Sequence, residues 1–411
     1  MNRVSLTAAS LVWRDRIRDT KADPQMPSPA PVREPAPRLL FLDVVRGITI
    51  AFMIMVNNNG GSGSWGFMNH AAWNGLTATD LVFPTFVFVM GASVVFAIES
   101  RLARGATRAR LVGKTVQRAA ILCLLGIVVN SFPFFELEHM RFYGVLQRIA
   151  VAYLAVSLLY LWNRRATVIA TTLVMVLVGY WVLLRWVPVP GAGLPGRDVP
   201  FMDMRQNLVS WLDRLLFPYH LYRDLPDHNL RDPEGLLSDL PAIGTALMGM
   251  LTGIWLRTRG SIPAKARGLA LAAAGSLALG YLWALWFPLN KNLWTSSYVL
   301  VAGGYALTLL TLAYWAIEQK GWRTGWTWIW LVFGSNAIAA YMFSELLPAV
   351  LQNIHVRSGG ARTDVIAFVF EHVFARVPDP GWAAFAYSLS FTAVCFVPAW
   401  LLYRRRIFLK V

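Results

Sequence analysis

Three polar residues near the end of the first apolar segment have the side chains and the spacing that acid–base chemistry needs. Asn57 ends that segment, and His70 and Asp80 follow in the loop "GGSGSWGFMNHAAWNGLTATD". An ordinary imidazole titrates near pH 6.5, about neutral, and a carboxylate that accepts a hydrogen bond from one ring nitrogen fixes its tautomer. Asp80 has a second interpretation, because Thr77 or Thr79 can cap the following helix and an acid in its first turn favours the helix dipole. The sequence leaves both roles open.

The same loop contains the glycine pattern of dinucleotide-binding proteins. Gly61, Gly63 and Gly66 spell G-x-G-x-x-G, and Asp80 lies about twenty residues on. That fingerprint has to follow a β-strand and open a helix. These glycines instead follow "LLFLDVVRGITIAFMIMV", a continuous apolar segment of helix length. The match is therefore accidental, although the glycines allow the backbone to approach a ligand closely.

The composition around these residues is that of a polytopic membrane protein. Of the 411 residues 56% are apolar and only 15% are charged, unlike a soluble domain. Continuous apolar segments long enough to cross a hydrocarbon core of roughly 30 Å recur, and in lipid they must be helices. The predicted fold class is therefore all-α, a polytopic helix bundle of about ten transmembrane helices. The predicted spans are 39–56, 80–98, 116–132, 143–161, 168–187, 238–256, 267–287, 295–316, 328–351 and 383–403.

The net charge of +16 is concentrated in alternate loops. A basic surface can attract nucleic acid, but cations that mark one side of a membrane argue against that partner. By the positive-inside rule these loops and both termini are predicted to be cytoplasmic, and the loop that carries His70 lies on the opposite side. The cations are Arg101, Arg104, Arg108, Arg110, Lys114, Arg118, Arg164, Arg165, Arg257, Arg259, Lys265, Arg267, Lys320, Arg323, Arg404, Arg405, Arg406 and Lys410.

The remaining segments divide the chain into two parts. Residues 1–37 are rich in proline and arginine without the apolar run of a signal peptide, which predicts a disordered cytoplasmic tail. Residues 38–411 form the predicted transmembrane domain, and its long periplasmic loop at 188–237 is large enough to serve as a lid or acceptor platform. Cys123 and Cys395 both lie in predicted spans, and the histidines are scattered. We therefore expect neither a disulfide framework nor a metal site.

Six sequence segments carry a family resemblance. In order over residues 38–347, they resemble the heparan-α-glucosaminide N-acetyltransferase family, membrane acetyltransferases whose bacterial members lie in the inner membrane. Relative to the human type, we expect the chain to lack the large luminal domain and the membrane helix before the shared part. The segments are "RLLFLDVVRGITIAFMIMVNN", "HAAWNGLTATDLVFPTFVFVMGAS", "YGVLQRIAVAYL", "LLSDLPAIGTALMGMLTG", "NKNLWTSSYVLVAGGYAL" and "FGSNAIAAYMFSELL".

The resemblance implies a reaction and two of its residues. Acetyl would move from cytosolic acetyl-CoA, a co-substrate, to the amine of a glucosamine-type sugar or glycan on the periplasmic side of the bacterial inner membrane. The family's catalytic histidine corresponds to His70, and the asparagine that binds or polarises the acetyl group corresponds to Asn57. The chemistry agrees, because an ammonium must lose a proton before it attacks a thioester, and an amide N–H can stabilise the resulting oxyanion.

Residues on the His70 side of the membrane are candidates for the acceptor site. Aromatic faces suit sugar rings, and amide, hydroxyl and ammonium groups suit sugar hydroxyls. A lysine at a helix end has the alternative of simply snorkelling to the membrane surface. The candidates from the "HAAWNG" and "NKNLWTSSY" segments are Trp73, Asn74, Lys291, Asn292, Ser296 and Ser297.

Cations are the candidates for the CoA phosphates, since arginine forks bind phosphate oxygens well. Lys114 lies in the largest basic loop, and Arg118 lies at the start of the span that follows it. Arg46 and Arg148 interrupt apolar spans and are further candidates. Arg46 can instead pair with Asp43, three residues earlier on the same helix face.

Two other functions and two kinetic mechanisms remain open at this point. A permease for a sugar or a small anion would use polar residues inside the spans as a pathway and His70 as a proton relay. An O-acetyltransferase for a surface polysaccharide would share the donor. The acetyl group can pass directly to the acceptor or through an acetyl-His70 intermediate, and we favour direct transfer because acetyl-imidazole reacts with water. Membrane lipid is an expected partner, and the oligomeric state is open, a homodimer included.

Overall fold

The structure is a computed structural model that describes residues 39–60, 63–136, 138, 140–222, 230–358 and 361–409. The predicted cytoplasmic tail at 1–37 lies outside these residues. Within them the chain is almost entirely helical, which confirms the predicted fold class. The helices are α1 (Leu40–Asn57), α2 (Val82–Ala103), α3 (Arg108–Ser131), α4 (Val145–Trp162), α5 (Ala166–Trp186), α6 (Leu208–Leu216), α7 (Asp239–Arg257), α8 (Ile262–Ala284), α9 (Ser296–Tyr314), α10 (Thr327–Ser335), α11 (Ala337–Asn353), α12 (Val365–Val369) and α13 (Pro380–Arg404).

Short elements connect or extend these helices. Single 3₁₀ turns at Thr79–Leu81 and Leu236–Ser238 lead into α2 and α7, and π-helical turns at Trp315–Gln319 and Phe370–Phe374 extend α9 and α12. The described strands are β1 (His355–Ser358) and β2 (Ala361–Asp364), an antiparallel hairpin between α11 and α12.

Each of the ten predicted spans corresponds to helix, with one difference in shape. Among the described residues, eight helices are long and apolar enough to cross a membrane. The predicted span 267–287 falls on α8, which is not one of these eight although it has 23 residues and packs along α9. The predicted continuous span 328–351 is instead broken into α10 and α11, which meet at 78°.

The break between α10 and α11 has a local cause in Asn336. Its side-chain Nδ2 donates to the carbonyl oxygen of Ile407 at 3.1 Å, and its Oδ1 accepts from the backbone N–H of Leu409 at 3.0 Å. The residue is 1% exposed and has φ −129° and ψ 43°, outside the helical region. An asparagine that bonds to a distant segment thus competes with continuation of the helix.

The centre of the bundle is a close pairing of α2 with α7. A Cβ on Gly91 would lie 2.0 Å from the carbonyl oxygen of Ala246, and one on Gly249 would lie 1.9 Å from that of Phe88. Glycine at both positions therefore allows the two backbones to touch, as small residues do in membrane helix pairs. This contact fixes the relative height of the N-terminal ends of α2 and α7, which carry the site described below.

The helices place their charged ends on two faces, which we name by their residues. The basic face holds the C-terminal ends of α2, α4 and α7, where Glu99 binds Arg257 at 2.9 Å and Arg164 at 3.3 Å. The site face holds the opposite ends, including the end of α1 and the starts of α2, α7 and α9. His70 lies in the α1–α2 loop at this face. The alternation of basic and mixed loops in the sequence therefore corresponds to two ends of one bundle.

The long segment 188–237 covers part of the site face. The helical spacing predicted for "NLVSWLDRLLF" is observed as α6, whose N-cap Asn207 accepts a hydrogen bond from the N–H of Ser210 at 2.8 Å. Val209 and Met202 pack with Tyr180 and Phe287 in a small apolar cluster separate from the main core. This cluster attaches the segment to α5 and to the loop between α8 and α9.

Candidate active site

His70 and Asp80 form a hydrogen-bonded pair at the site face. His70 Nδ1 lies 2.7 Å from Asp80 Oδ1. The histidine side chain is 47% exposed, whereas that of Asp80 is fully buried. A buried carboxylate that accepts from Nδ1–H leaves the lone pair on Nε2, so the exposed part of the ring presents a base. The structure therefore brings together the two residues whose spacing suggested acid–base chemistry.

The carboxylate of Asp80 holds together the loop that carries His70 and the start of the helix that follows it. Its Oδ2 accepts from the backbone N–H groups of Ala71 at 3.2 Å and Thr77 at 3.0 Å, and from the Thr77 hydroxyl at 3.0 Å. Asp80 also lies in the first turn of the 3₁₀ helix that leads into α2, and its bond from the Thr77 N–H is of the capping-box type. The carboxylate therefore combines both of the roles that the sequence left open. The Tyr298 hydroxyl of α9 donates to the carbonyl oxygen of Asp80 and ties the pair to the core.

Lys291, from the loop between α8 and α9, is the second charged neighbour of His70. Its Nζ lies 2.9 Å from His70 Nε2 and 3.1 Å from Nδ1. Similar distances to nitrogens on two sides of the ring place the ammonium above the ring. Burial lowers the pKa of the Lys291 amine below its usual value, and the negative charges of Glu234 and Asp80 oppose that shift. The base is thus in contact with an amine that gives up its proton more readily than an exposed lysine.

Asn57 lies at the same face but has a different partner. Its Nδ2 donates to Glu345 Oε1 of α11 at 3.1 Å. The neighbouring Asn59 donates to Asn69 Oδ1 at 2.7 Å, which fixes the end of α1 against the residue before His70. The assigned role of Asn57 at the acetyl group stays a prediction. In this structure its amide is held by a carboxylate.

The acceptor candidates divide into residues at the surface of the site and residues inside the protein. Asn74 is exposed and its Oδ1 accepts from Asn290 at 3.1 Å, while Asn292 is partly buried. The Trp73 indole N–H donates to the carbonyl oxygen of Met202 at 2.9 Å. This bond anchors the α1–α2 loop to the segment 188–237.

The two serines of the "NKNLWTSSY" segment are placed inside the protein. Ser296 and Ser297 are both fully buried at the start of α9. Ser296 donates to the carbonyl oxygen of Leu177 at 2.7 Å, and Ser297 donates to that of Phe287. Both hydroxyls thus bond to the backbone, and their predicted contact with a sugar has no support in this arrangement.

The four cations predicted for CoA do not come together. Arg46 binds Asp43 and donates to the carbonyl oxygen of Gly334 at 2.8 Å. Lys114 is exposed on α3, and the Arg118 guanidinium lies 4.7 Å from the centre of the Tyr153 ring. These residues belong to the half of the bundle nearer the basic face, so they remain candidates for one phosphate site.

Arg148 lies at the other end of the bundle, at the start of α4. It is 1% exposed, and its Nε donates to Asp239 Oδ1 at 2.9 Å. Its guanidinium also donates to Ser238 and lies 4.8 Å from the centre of the Trp294 ring. A cation so fully engaged inside the site face joins α4 to α7 and is separated from Arg46, Arg118 and Lys114.

Sequence reasoning missed an ion network beside the histidine. Arg141 binds Asp232 and Glu234, each at 2.5 Å. Burial by itself raises the pKa of Glu234, but the charges of Arg141, Arg148 and Lys291 outweigh it and lower that pKa. The mixture of acids and arginines in "DRLLFPYHLYRDLPDHNLRDPEG" signals such pairing without saying which residues pair. Lys291 interacts electrostatically with both Glu234 and Asp80, so it connects this network to the His70–Asp80 pair.

Comparison with known proteins bears on this geometry. Residues 38–190 match the family described as "Heparan-alpha-glucosaminide N-acetyltransferase, catalytic". The chain is similar to the heparan-alpha-glucosaminide N-acetyltransferase of Homo sapiens, 31% identical over 360 residues that make up 75% of this chain and 53% of the human protein. It is 29% identical to the mouse protein of the same name over 398 residues, 84% of this chain and 60% of that protein. The resemblance to this family is confirmed.

The match also locates the site relative to the family. Asn57, His70 and Asp80 all fall within the matched residues 38–190, as does Arg148. Lys291 falls outside that range and enters the site from the α8–α9 loop. The chain spans little more than half the length of the two relatives that it matches, so their activity is carried to it below as a proposal.

Proposed function

We propose that the chain is a membrane acetyltransferase that moves acetyl from acetyl-CoA to the amine of a glucosamine-type sugar or glycan. The observation that carries this proposal is the half-exposed His70 held through Nδ1 by the buried Asp80. This pair lies inside the region that matches the catalytic part of the acetyltransferase family. A histidine oriented by a buried acid is the arrangement that general-base catalysis requires.

His70 acts as the base for the acceptor amine. Nε2 takes a proton from the acceptor ammonium, the free amine attacks the acetyl carbonyl carbon, and the carbon–sulfur bond breaks to release CoA. The imidazolium returns its proton to the leaving thiolate, and the second proton that the nitrogen loses as the amide forms passes to water. Asp80 stabilises the positive charge on the ring while it lasts. The Asn57 amide gives up its hydrogen bond to Glu345 and donates instead to the carbonyl oxygen of the thioester.

Acetyl-CoA is the donor, and its charged and weakly polar parts suit different parts of the bundle. The nucleotide carries phosphates that cannot enter hydrocarbon, and the basic face offers exposed cations such as Lys114. The pantetheine arm carries only amide and hydroxyl groups and has to reach His70 at the opposite face. We therefore propose that the arm crosses inside the bundle while the nucleotide stays at the basic face.

The contact between α3 and α4 is the route that we assign to this arm. Buried polar atoms on these two helices, and on Tyr143 just before α4, have no hydrogen-bond partner among the described residues, although such atoms are nearly always paired. They extend from the basic half of both helices to the site face. We name them the α3–α4 seam, and its residues are Arg118, Ser131, Tyr143, Gln147 and Ser157.

Gln147 is the central residue of the seam. Both amide atoms of its side chain are buried without a partner in the described part of the chain, and the residue is 7% exposed. The next residue, Arg148, is near enough to Lys291 for its charge to lower the lysine pKa. We propose that the seam leads from there toward the His70 site, and the amide of Gln147 suits the amides of pantetheine.

Direct transfer from bound acetyl-CoA to bound acceptor remains the mechanism that we propose. The exposed side of His70 would leave an acetyl-imidazole open to water, which hydrolyses it. By the positive-inside rule the acceptor side is the non-cytoplasmic side. The resemblance to the bacterial members of the family implies that this side is the periplasm and that the membrane is the inner membrane. Cysteines in place of Ala72, beside His70, and Ala103, at the basic face, test this sidedness in a chain without Cys123 and Cys395. An impermeant thiol reagent added outside intact cells should label only the first.

Transfer of label from acetyl-CoA tests the proposed function. Purified protein in proteoliposomes should convert glucosamine to N-acetylglucosamine only when acetyl-CoA is present, and His70→Ala should abolish conversion. His355→Ala is the matched control, since that histidine lies in the exposed β1 strand. Near-normal turnover by the His70 variant, or sugar uptake that needs no acetyl-CoA, would contradict the proposal.

A further inference from the structure

The amine of Lys291 occupies the place in which the proposed reaction requires the amine of the acceptor. A general base can act only on a proton within hydrogen-bond reach, roughly 2.6–3.2 Å between heavy atoms. Lys291 Nζ lies 2.9 Å from His70 Nε2. A primary amine of the protein itself therefore already lies within hydrogen-bond distance of the base.

The surroundings of Lys291 resemble those that an acceptor ammonium would meet. The Asp80 carboxylate binds Nδ1 of the same imidazole, and the negative charges of Asp80 and Glu234 both act on the lysine. Partial burial makes the neutral amine more accessible, as it does for catalytic lysines. The loop that carries Lys291 is itself fixed, since Asn290 accepts from the N–H of Leu293 at 2.8 Å and is fully buried.

We propose that Lys291 is an internal acceptor, a site of self-acetylation that is used when acetyl-CoA is bound and no external amine is present. This inference rests on the proposed function. His70 Nε2 removes one proton from the Lys291 ammonium, and the resulting amine attacks the acetyl carbonyl carbon. The carbon–sulfur bond breaks, a new carbon–nitrogen bond forms, and the departing thiolate takes up the proton from His70, while the nitrogen loses its second proton to water as the amide forms. The products are free CoA and Nε-acetyl-lysine at position 291.

Self-acetylation would change the site in a specific way. The amide has no basic nitrogen and no charge, so the contact with His70 and the attraction to Asp80 and Glu234 are both lost. The acetyl group would then fill the space next to Nε2 that the acceptor amine needs. An external amine that binds first displaces Lys291 from the base and protects it. The modification therefore records whether the enzyme met donor without acceptor.

Mass spectrometry of the purified full chain tests the proposal. The protein is incubated with isotopically labelled acetyl-CoA with and without glucosamine and digested with chymotrypsin, which acetyl-lysine does not block. Lys114 and Lys320 are the matched controls for uncatalysed acetylation, since both are exposed away from His70. Without acceptor, label at Lys291 should form about 10²-fold faster than at the control lysines, the lower range of general-base catalysis. The label should withstand neutral hydroxylamine, unlike acetyl-histidine.

Two comparisons separate this proposal from the proposed function. In His70→Gln the label at Lys291 should fall to the level of Lys320, and glucosamine should reduce it in the unmodified chain. If glucosamine is acetylated but Lys291 is labelled no faster than Lys320, the inference is overturned and the proposed function stands. If Lys291 is labelled through His70 while glucosamine and other amines are not acetylated, the inference stands and the proposed acceptor is wrong. Label at neither place overturns both.

Discussion

The two faces of the bundle both carry many charges but hold them in opposite ways. At the site face Arg148 is 1% exposed and bonded to Asp239, and Arg141 is clamped between two carboxylates. At the basic face the cations are largely exposed, and Glu99 alone binds both Arg164 and Arg257, whose side chains are 38% and 39% exposed. Charges at the site face thus fix positions within the protein, while those at the basic face act chiefly on what surrounds it.

This contrast separates two roles of charge in one membrane protein. A buried ion pair is costly to form and more costly to break, because removal of one partner leaves the other desolvated. An exposed pair is worth little, and its cations remain available for lipid headgroups or phosphates. Substitution of a paired charge at the site face should therefore reduce the free energy of unfolding strongly, and a matched substitution at the basic face should reduce it little.

The largest effect is expected from Asp80→Asn. The amide can still occupy the pocket, but it no longer fixes the His70 tautomer or stabilises the imidazolium, so transfer should fall about 10²–10⁴-fold. The measurement is kcat for labelled acetyl transfer to glucosamine, with the unfolding midpoint recorded alongside. Glu371→Gln, an exposed carboxylate in the π-helical turn after α12, is the control. A kcat within a fewfold of the parent would show that the pair is merely structural.

The next effect concerns stability and compares the two faces directly. Arg148→Met leaves Asp239 buried without its cation, and we expect a loss of about 3–5 kcal/mol in the free energy of unfolding. Arg257→Met removes an exposed partner of Glu99, and a loss of about 0–1 kcal/mol is expected. Thermal unfolding of both variants in the same detergent checks the difference. Equal shifts of the unfolding midpoint in the two variants would show that charges at the site face do not stabilise the protein more than those at the basic face.

The buried carboxyl of Asp213 in α6 should make the stability of the protein depend on pH, whereas an exposed carboxyl should not. Burial raises the pKa of Asp213 to about 7 from 3.8, although the N–H of Leu236 donates to it at 3.0 Å. The folded protein thus keeps a proton that the unfolded chain releases, so stability falls as pH rises from about 4 to about 7. Asp213→Asn should remove this loss and raise the unfolding midpoint at pH 8 much more than at pH 4. The exposed Asp198 is the control site, and a midpoint shift independent of pH would contradict the assignment.

The smallest effect is expected at the α3–α4 seam. Gln147→Leu removes an amide that has no partner among the described residues, so the unfolding midpoint should stay or rise. If the amide binds pantetheine, KM for acetyl-CoA should increase about threefold to tenfold, the value of one hydrogen bond. KM for glucosamine should not change. A lower unfolding midpoint with unchanged KM would assign Gln147 to packing and the donor to another route.

Local sequence was sufficient for the architecture and for the centre of the site. Continuous apolar segments predicted an all-α bundle because backbone groups in lipid have to be satisfied within helices. The position of His70 and Asp80 in one loop offered their pairing as one of two roles for the acid, and the structure contains that pairing. The alternation of cations between loops predicted which helix ends share a face. Each of these features depends on residues close together in the chain.

Tertiary structure decided the pairings that join distant segments. Lys291 meets His70 across 221 residues, and Arg148 meets Asp239 across 91. Asn336 breaks a continuous apolar segment because the C-terminal segment offers it better hydrogen bonds. Periodicity and hydropathy show which side of a helix is apolar. They do not show which residues of other helices or loops will bond to its buried polar groups. That choice follows from the packing of α2 against α7 and of the loops over them, which sets the distances at which charges in a low-dielectric interior have to pair.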